Sequence, residues 1–252
     1  MVPVLFRLGD LTVYSHGFFL VLGLFIGGLW LVFEAKRRRW SKEETWVIVL
    51  SAFVGGMIGA KLSILLFNGW ETAPIVLDFF ALFDPHIGPG SILGGIAGGY
   101  VGGYIAAKSM GKDECACDAF APAIALGLAV GRIGDFLAAE DGMGKPTSLP
   151  WGAQVPGVDY LVHPTPLYDS AFNLIWFASL LILRDHPKMQ NGNLFKFGVA
   201  GYATFRFFVE FLRNNLILAW GLTGQQFFCL VLLLGLAVFY FNQYSKAALA
   251  NA

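Results

Sequence analysis

Seven stretches of this 252-residue chain are long and apolar enough to cross a lipid bilayer, and they dictate most of what it can fold into. About 20 predominantly apolar residues cross the hydrocarbon as a helix, and in lipid every backbone N–H and C=O has to be satisfied within the protein. The stretches fall near residues 13–35, 46–67, 89–108, 118–139, 164–184, 196–213 and 223–244. The third is weakened by its glycines, and the sixth is short and carries Arg206 and Glu210. The predicted fold is an all-α integral membrane protein of seven transmembrane helices, a single transmembrane domain over residues 1–252. Apolar residues at 56% and charged residues at 13% exclude an ordinary soluble domain. A formal net charge of zero gives no basic surface for nucleic acid. The first stretch is expected to be a retained span rather than a cleaved leader, because it is long and others follow it.

Orientation follows from lysine and arginine in the connections. Eleven of them (Lys36, Arg37, Arg38, Arg39, Lys42, Lys108, Lys112, Arg184, Lys188, Lys196 and Lys246) fall on one side, against Arg7, Lys145 and Arg213 on the other. The N-terminus is therefore expected outside and the C-terminus in the cytoplasm. Residues 139–163, rich in Gly, Pro and aromatics, are expected to form an irregular arm on the outer face between spans four and five. A short helix over 74–83 is expected in the outer interface, near Trp70, Trp151 and Trp220.

Charge inside the apolar stretches is the second constraint, since a charged side chain at that depth is normally paired or functional. Lys61, Arg132 and Arg206 each lie about six or seven residues before the outer end of their span, roughly 10 Å below the boundary. Asp135 lies one turn above Arg132 and Glu210 one turn above Arg206, while Glu140 tops the fourth span and His16 enters the first. Isolated pairs of this kind usually tie helices together. A lysine, two arginines and a histidine facing three carboxylates favour a polar cavity that opens outward, with spare positive charge for an anionic headgroup. Arginine suits a phosphate because its planar fork donates two parallel bonds.

Glycines at i, i+4 and i+8 in Gly55–Gly59 and Gly94–Gly103 predict close helix crossings. Gly94 and Gly95 also offer a smooth face for a lipid tail. The three cysteines form no spacing that specifies a metal site, and no cofactor is implied.

The segments "GRIGDFLAAEDGMG" (131–144), "LPWG" (149–152), "HPTPLYD" (163–169) and "FRFFVEFLR" (205–213) resemble those of the prolipoprotein diacylglyceryl transferases. That family's pattern is G-R-x-G-N-F-x-N-x-E, then H-P-[ST]-Q-L-Y-E and F-R-x-x-x-E, in seven spans with an outward N-terminus. The resemblance covers essentially the whole chain, with the strongest motifs in 127–213. It implies an enzyme of the bacterial inner membrane that moves the diacylglyceryl group of phosphatidylglycerol onto the lipobox cysteine thiol of a prolipoprotein, releasing glycerol phosphate. Arg132 and Arg206 would hold the phosphate as it leaves. Glu140 and Glu210 would position those arginines or the peptide, and Lys61, Asp135, Gly94, Gly95, His163 and Tyr168 join the substrate-binding candidates.

Departures from the family pattern gather at the site. Leu93 replaces the histidine of H-G-G, Asp135 an asparagine, His16 a tyrosine of the first span, Pro166 a glutamine and Asp169 a glutamate. In one account His16 supplies the missing imidazole as general base, with His163 a second candidate. In another, the arginines remain but a different lipid or acceptor is used, Asp135 offsetting Arg132. A third class, anionic-lipid binding or transport without bond chemistry, is disfavoured by the lack of internal repeats.

Overall fold

The structure, a computed structural model, describes residues 1–8, 11–68, 92–111, 116–139 and 143–250. Glu140, the segment 74–83 and Trp70 lie outside the described residues. A hairpin of β1 (Val4–Leu8) and β2 (Leu11–Tyr14) leads into α1 (Ser15–Arg37). Then come α2 (Lys42–Asn68), α3 (Ile92–Ser109), a 3-10 turn at Ala116–Ala119 and α4 (Phe120–Ala138). The short pair β3 (Ala153–Gln154) and β4 (Leu161–Val162) precedes α5 (Thr165–Leu183) and α6 (Asn193–Val209). A 3-10 turn at Glu210–Leu212, the hairpin β5 (Ile217–Ala219) and β6 (Leu222–Thr223), and α7 (Gly224–Ala250) complete the chain.

Helices therefore occupy all seven apolar stretches, and among the described residues five segments are long and apolar enough to cross a membrane: 15–37, 42–63, 116–138, 165–183 and 224–243. The other two helices are short and less apolar for visible reasons. Six of the eighteen residues of α3 are glycine, and α6 carries Lys196 and Arg206 within seventeen residues. The α-helix of the sixth stretch also ends earlier than hydropathy suggests. After Val209 the chain tightens into the 3-10 turn, and Arg213 is extended at φ −86°, ψ 154°.

The chain packs as two compact units, one of residues 1–31, 121–189 and 193–252, the other of 32–120 and 190–192. In the second, α2 and α3 cross at backbone contact through glycine. A Cβ on Gly98 would lie 2.1 Å from the Gly55 carbonyl oxygen, one on Gly59 2.3 Å from that of Gly94, and one on Gly102 2.2 Å from that of Ser51. Real Cβ atoms do not approach so closely, so only glycine permits this crossing. Gly98→Val is expected to force the pair apart and cost about 1–3 kcal/mol or more. Gly28→Ala, where nothing lies within 4 Å, serves as the neutral control. Thermal midpoints in detergent compare the two, and an unchanged midpoint for Gly98→Val would refute the crossing. At one end of this unit Ile48, Ala106, Ala107 and Ala116 pack with Trp40, Met110 and Phe120.

In the first unit α1 meets α4 by the same device. A Cβ on Gly23 would lie 2.5 Å from the Gly127 oxygen, and one on Gly27 2.9 Å from that of Ala123. Helix α5 is tied to α4 by Ser170 Oγ donating to the Ala129 carbonyl at 2.7 Å. It meets α6 through stacked Phe172 and Phe205, 4.0 Å between centroids, and Trp176 Nε1 donates to the Gly198 carbonyl at 3.1 Å. Gln226 at the start of α7 donates to the Phe207 carbonyl of α6 at 3.1 Å.

The described part of the 139–163 segment is more ordered than its composition suggests. Besides the β3–β4 pair, Gly144 bridges to Arg213 and Pro146 to Val162, all antiparallel. Gly144 is pinned there: a Cβ would lie 2.4 Å from His163 Cβ and 2.8 Å from the Leu212 oxygen. The strand that contains Arg213 is thereby fixed by residues about 70 positions earlier in the chain.

Candidate functional site

The first unit gathers its buried charge near the start of α1 and α5 and the end of α4 and α6. Two helical spacings do much of the local work. In α4, Arg132 and Asp135 are one turn apart, and Arg132 Nη1 donates to Asp135 Oδ2 at 2.6 Å. In α6 and the turn that follows, Arg206 and Glu210 are one turn apart at i and i+4, and Arg213 follows in extended backbone just past that turn. Arg206 Nη2 lies 2.9 Å from Glu210 Oε2. At the start of α1, His16 reaches Asp135, with Nδ1 2.9 Å from Oδ1.

Asp169 of α5 joins these groups. Its carboxylate is fully buried, and one oxygen, Oδ2, is shared by three guanidinium groups. Arg213 Nη2 donates to it at 2.5 Å, while Arg132 Nε at 3.4 Å and Arg206 Nη1 at 3.6 Å are ion-paired without close hydrogen bonds. Burial makes this carboxylate costly unless paired, and the three cations would repel each other without it. Glu210 does a comparable job for Arg206. Its Oε1 accepts from Asn215 Nδ2 at 2.6 Å and Thr223 Oγ1 at 3.0 Å, which fixes the side chain that Arg206 leans on. Gln226 in turn accepts the Thr223 N–H at 2.9 Å.

Within this group three arginines meet three carboxylates, Asp135, Asp169 and Glu210, so their formal charges balance. What remains is unfilled bonding capacity. Among the described residues Arg206 Nη1 and Arg213 Nε are buried donors with no hydrogen-bond partner, and Asp169 Oδ1 is a buried acceptor with none. Buried polar groups are seldom left so, and where they are, a ligand or function is the usual reason.

His16, Arg132, Asp135, Arg206 and Glu210 are thus brought into one connected group. His163 and Tyr168 pair with each other instead: Tyr168 Oη lies 3.3 Å from His163 Nδ1 and accepts from Trp151 Nε1 at 2.9 Å. Lys61, Gly94 and Gly95 belong to the unit built on α2 and α3, where Gly94 is buried against Gly59 and Ser63. Glu140 and the Leu93 side chain lie outside the described residues. Two members of the group escaped the sequence. Arg213 counts there as an outer loop charge, and its place comes from extended backbone bridged to Gly144, which no local periodicity marks. Asp169 counts only as a shortened glutamate, and nothing local marks it as a shared counter-ion.

The sequence model of a family described as prolipoprotein diacylglyceryl transferase matches residues 3–242. Three relatives carry the name phosphatidylglycerol–prolipoprotein diacylglyceryl transferase. That of Azotobacter vinelandii is 33% identical over 254 residues, covering 92% of this chain and 91% of its own. Those of Ectopseudomonas mendocina, 32% over 251 residues, and Pseudoalteromonas atlantica, 31% over 218, cover 92% and 84% of this chain and 90% and 75% of their own. With a match over nearly its whole length, and the arginines of both family motifs joined at one buried carboxylate, the chain belongs to the prolipoprotein diacylglyceryl transferase family.

Proposed function

We propose that this protein transfers the diacylglyceryl group of phosphatidylglycerol to the lipobox cysteine of a prolipoprotein, as its relatives are named for doing. The observation that carries this reading is the arginine group with its unfilled donors, Arg206 Nη1 and Arg213 Nε. The thiol sulfur forms a bond to the glycerol carbon that bears the phosphate. The C–O bond to phosphate breaks, its electron pair stays on the phosphate oxygen, and glycerol phosphate leaves with the proton that the thiol gave up. Arg132 and Arg206 hold the phosphate and stabilise the charge it gains as it departs, a contribution of about 10²–10³ in rate per donor. Glu210 and Glu140 position those arginines or the peptide. His16 takes the thiol proton, since the thiolate is the attacking species. Asp135, His163 and Tyr168 contact lipid or peptide, and Lys61, Gly94 and Gly95 are further substrate-binding candidates by the resemblance alone.

The setting is the bacterial inner membrane, with all seven helices crossing, the N-terminus outside and the 139–163 arm on the outer face. Lysine and arginine in the connections support that orientation. Other lipids or acceptors are a second reading, favoured by the five replaced family residues. Mass spectrometry of a lipobox peptide incubated with the purified protein and phosphatidylglycerol tests the two. Gain of one diacylglyceryl group, absent when the peptide cysteine is serine, is the expected outcome. No gain under conditions where a relative with the full motif succeeds would overturn the reading.

A further inference from the structure

Two of the positions at which this chain departs from the family pattern, 16 and 135, lie 119 residues apart in sequence and touch in the structure. His16 Nδ1 is 2.9 Å from Asp135 Oδ1, and the other carboxylate oxygen accepts from Arg132 Nη1 at 2.6 Å. A carboxylate only accepts, so the ring nitrogen facing Asp135 carries a proton and the neutral imidazole has its lone pair on Nε2. The backbone is built to hold this geometry. Next to Asp135, a Cβ on Gly134 would lie 3.0 Å from the Ser15 oxygen and 3.3 Å from His16 Cα, so α4 meets the first turn of α1 directly. That turn is anchored in its own right, because the Ser15 N–H donates to the Pro3 carbonyl at 2.9 Å and Ser15 Oγ to that of Val2.

We propose that Asp135 is a positioning residue that sets the tautomer of His16 and ties the base to the phosphate-holding Arg132. This rests on the reading of His16 as the base. In the step itself the S–H bond of the lipobox thiol breaks and His16 Nε2 takes the proton. Sulfur then attacks the glycerol carbon, and the departing phosphate receives the proton from Nε2. Asp135 stays ionised throughout, holding the imidazolium by one oxygen and Arg132 by the other. Asparagine at this position can serve only one of the two donors. If its oxygen stays on Arg132, its NH2 faces His16, the proton is driven to Nε2, and the base is lost while the lipid site survives.

Asp135→Asn, His16→Gln and Arg132→Ala, each checked for an unchanged thermal midpoint, are assayed with a lipobox cysteine peptide and with its selenocysteine counterpart. A selenol is largely ionised at neutral pH and needs no base. With the cysteine peptide, Asp135→Asn and His16→Gln are expected to lose about 10²–10⁴-fold in kcat, with KM for phosphatidylglycerol changed by less than about threefold. With the selenocysteine peptide both are expected to return to within about tenfold of wild type, whereas Arg132→Ala is not, because its defect lies at the leaving group. Wild-type kcat in Asp135→Asn, or a defect of equal size with both peptides, would overturn the positioning role. If His16→Gln alone falls and is rescued by selenium, His16 remains the base and only the role of Asp135 is lost. If His16→Gln turns over the cysteine peptide normally, the base assignment falls too.

Discussion

Asp169→Ala is expected to destabilise the folded protein by about 3–5 kcal/mol, the usual cost of removing one partner from a buried ion pair. The expectation is at the upper end because three guanidinium groups, not one, share its Oδ2. Arg213, 5% exposed, and Arg206, 7% exposed, have little water to turn to when that oxygen goes. Asp169→Asn keeps the volume but not the charge, and is expected to cost nearly as much. The measurement is the thermal midpoint in detergent, with and without inorganic phosphate. Once the internal carboxylate is gone, three arginines face only Asp135 and Glu210, an excess of one positive charge, so phosphate is expected to raise the midpoint of Asp169→Ala more than that of wild type. A variant as stable as wild type would mean that the arginines are not held by Asp169.

Much of this fold was legible because lipid leaves a chain few options. Seven apolar stretches became seven helices, displaced from the predicted limits by a few residues, since backbone satisfaction and helix length are one constraint in hydrocarbon. The glycine crossing of α2 and α3 was visible in its i, i+4, i+8 spacing. The strand pairing within the 139–163 segment was not, because two-residue strands such as β3 and β4 have no periodicity to detect. In the site, counting residues along a helix says nothing of which way each side chain faces. The carboxylate of Asp169 is shared by Arg132, Arg206 and Arg213, and the last of these was not among the candidates. Asp169 needed the fold itself, since its partners come from three other places in the chain, Arg132, Arg206 and Arg213.

Arg206→Ala is expected to reduce diacylglyceryl transfer at least about 10²–10³-fold. Arg206 both offers an unfilled donor, Nη1, and pairs through Nη2 with Glu210, whose carboxylate is otherwise wholly buried. Truncation therefore removes a phosphate donor and strands an anion beside the place where phosphate gains charge, so two effects act in the same direction. Arg206→Lys separates them. Lysine keeps the charge near Glu210 but loses the planar fork, so stability is expected to be largely retained while transfer still falls by about tenfold or more. Arg132→Ala should be nearly as damaging, because Arg132 contacts both Asp135 and Asp169. Transfer is read by mass gain of the lipobox peptide and stability by thermal midpoint. Full transfer in Arg206→Ala would exclude a phosphate clamp on α6. A Lys variant as inactive as the Ala variant, at wild-type stability, would instead place the whole effect in the two-pronged geometry of the guanidinium, because charge alone would then have contributed nothing.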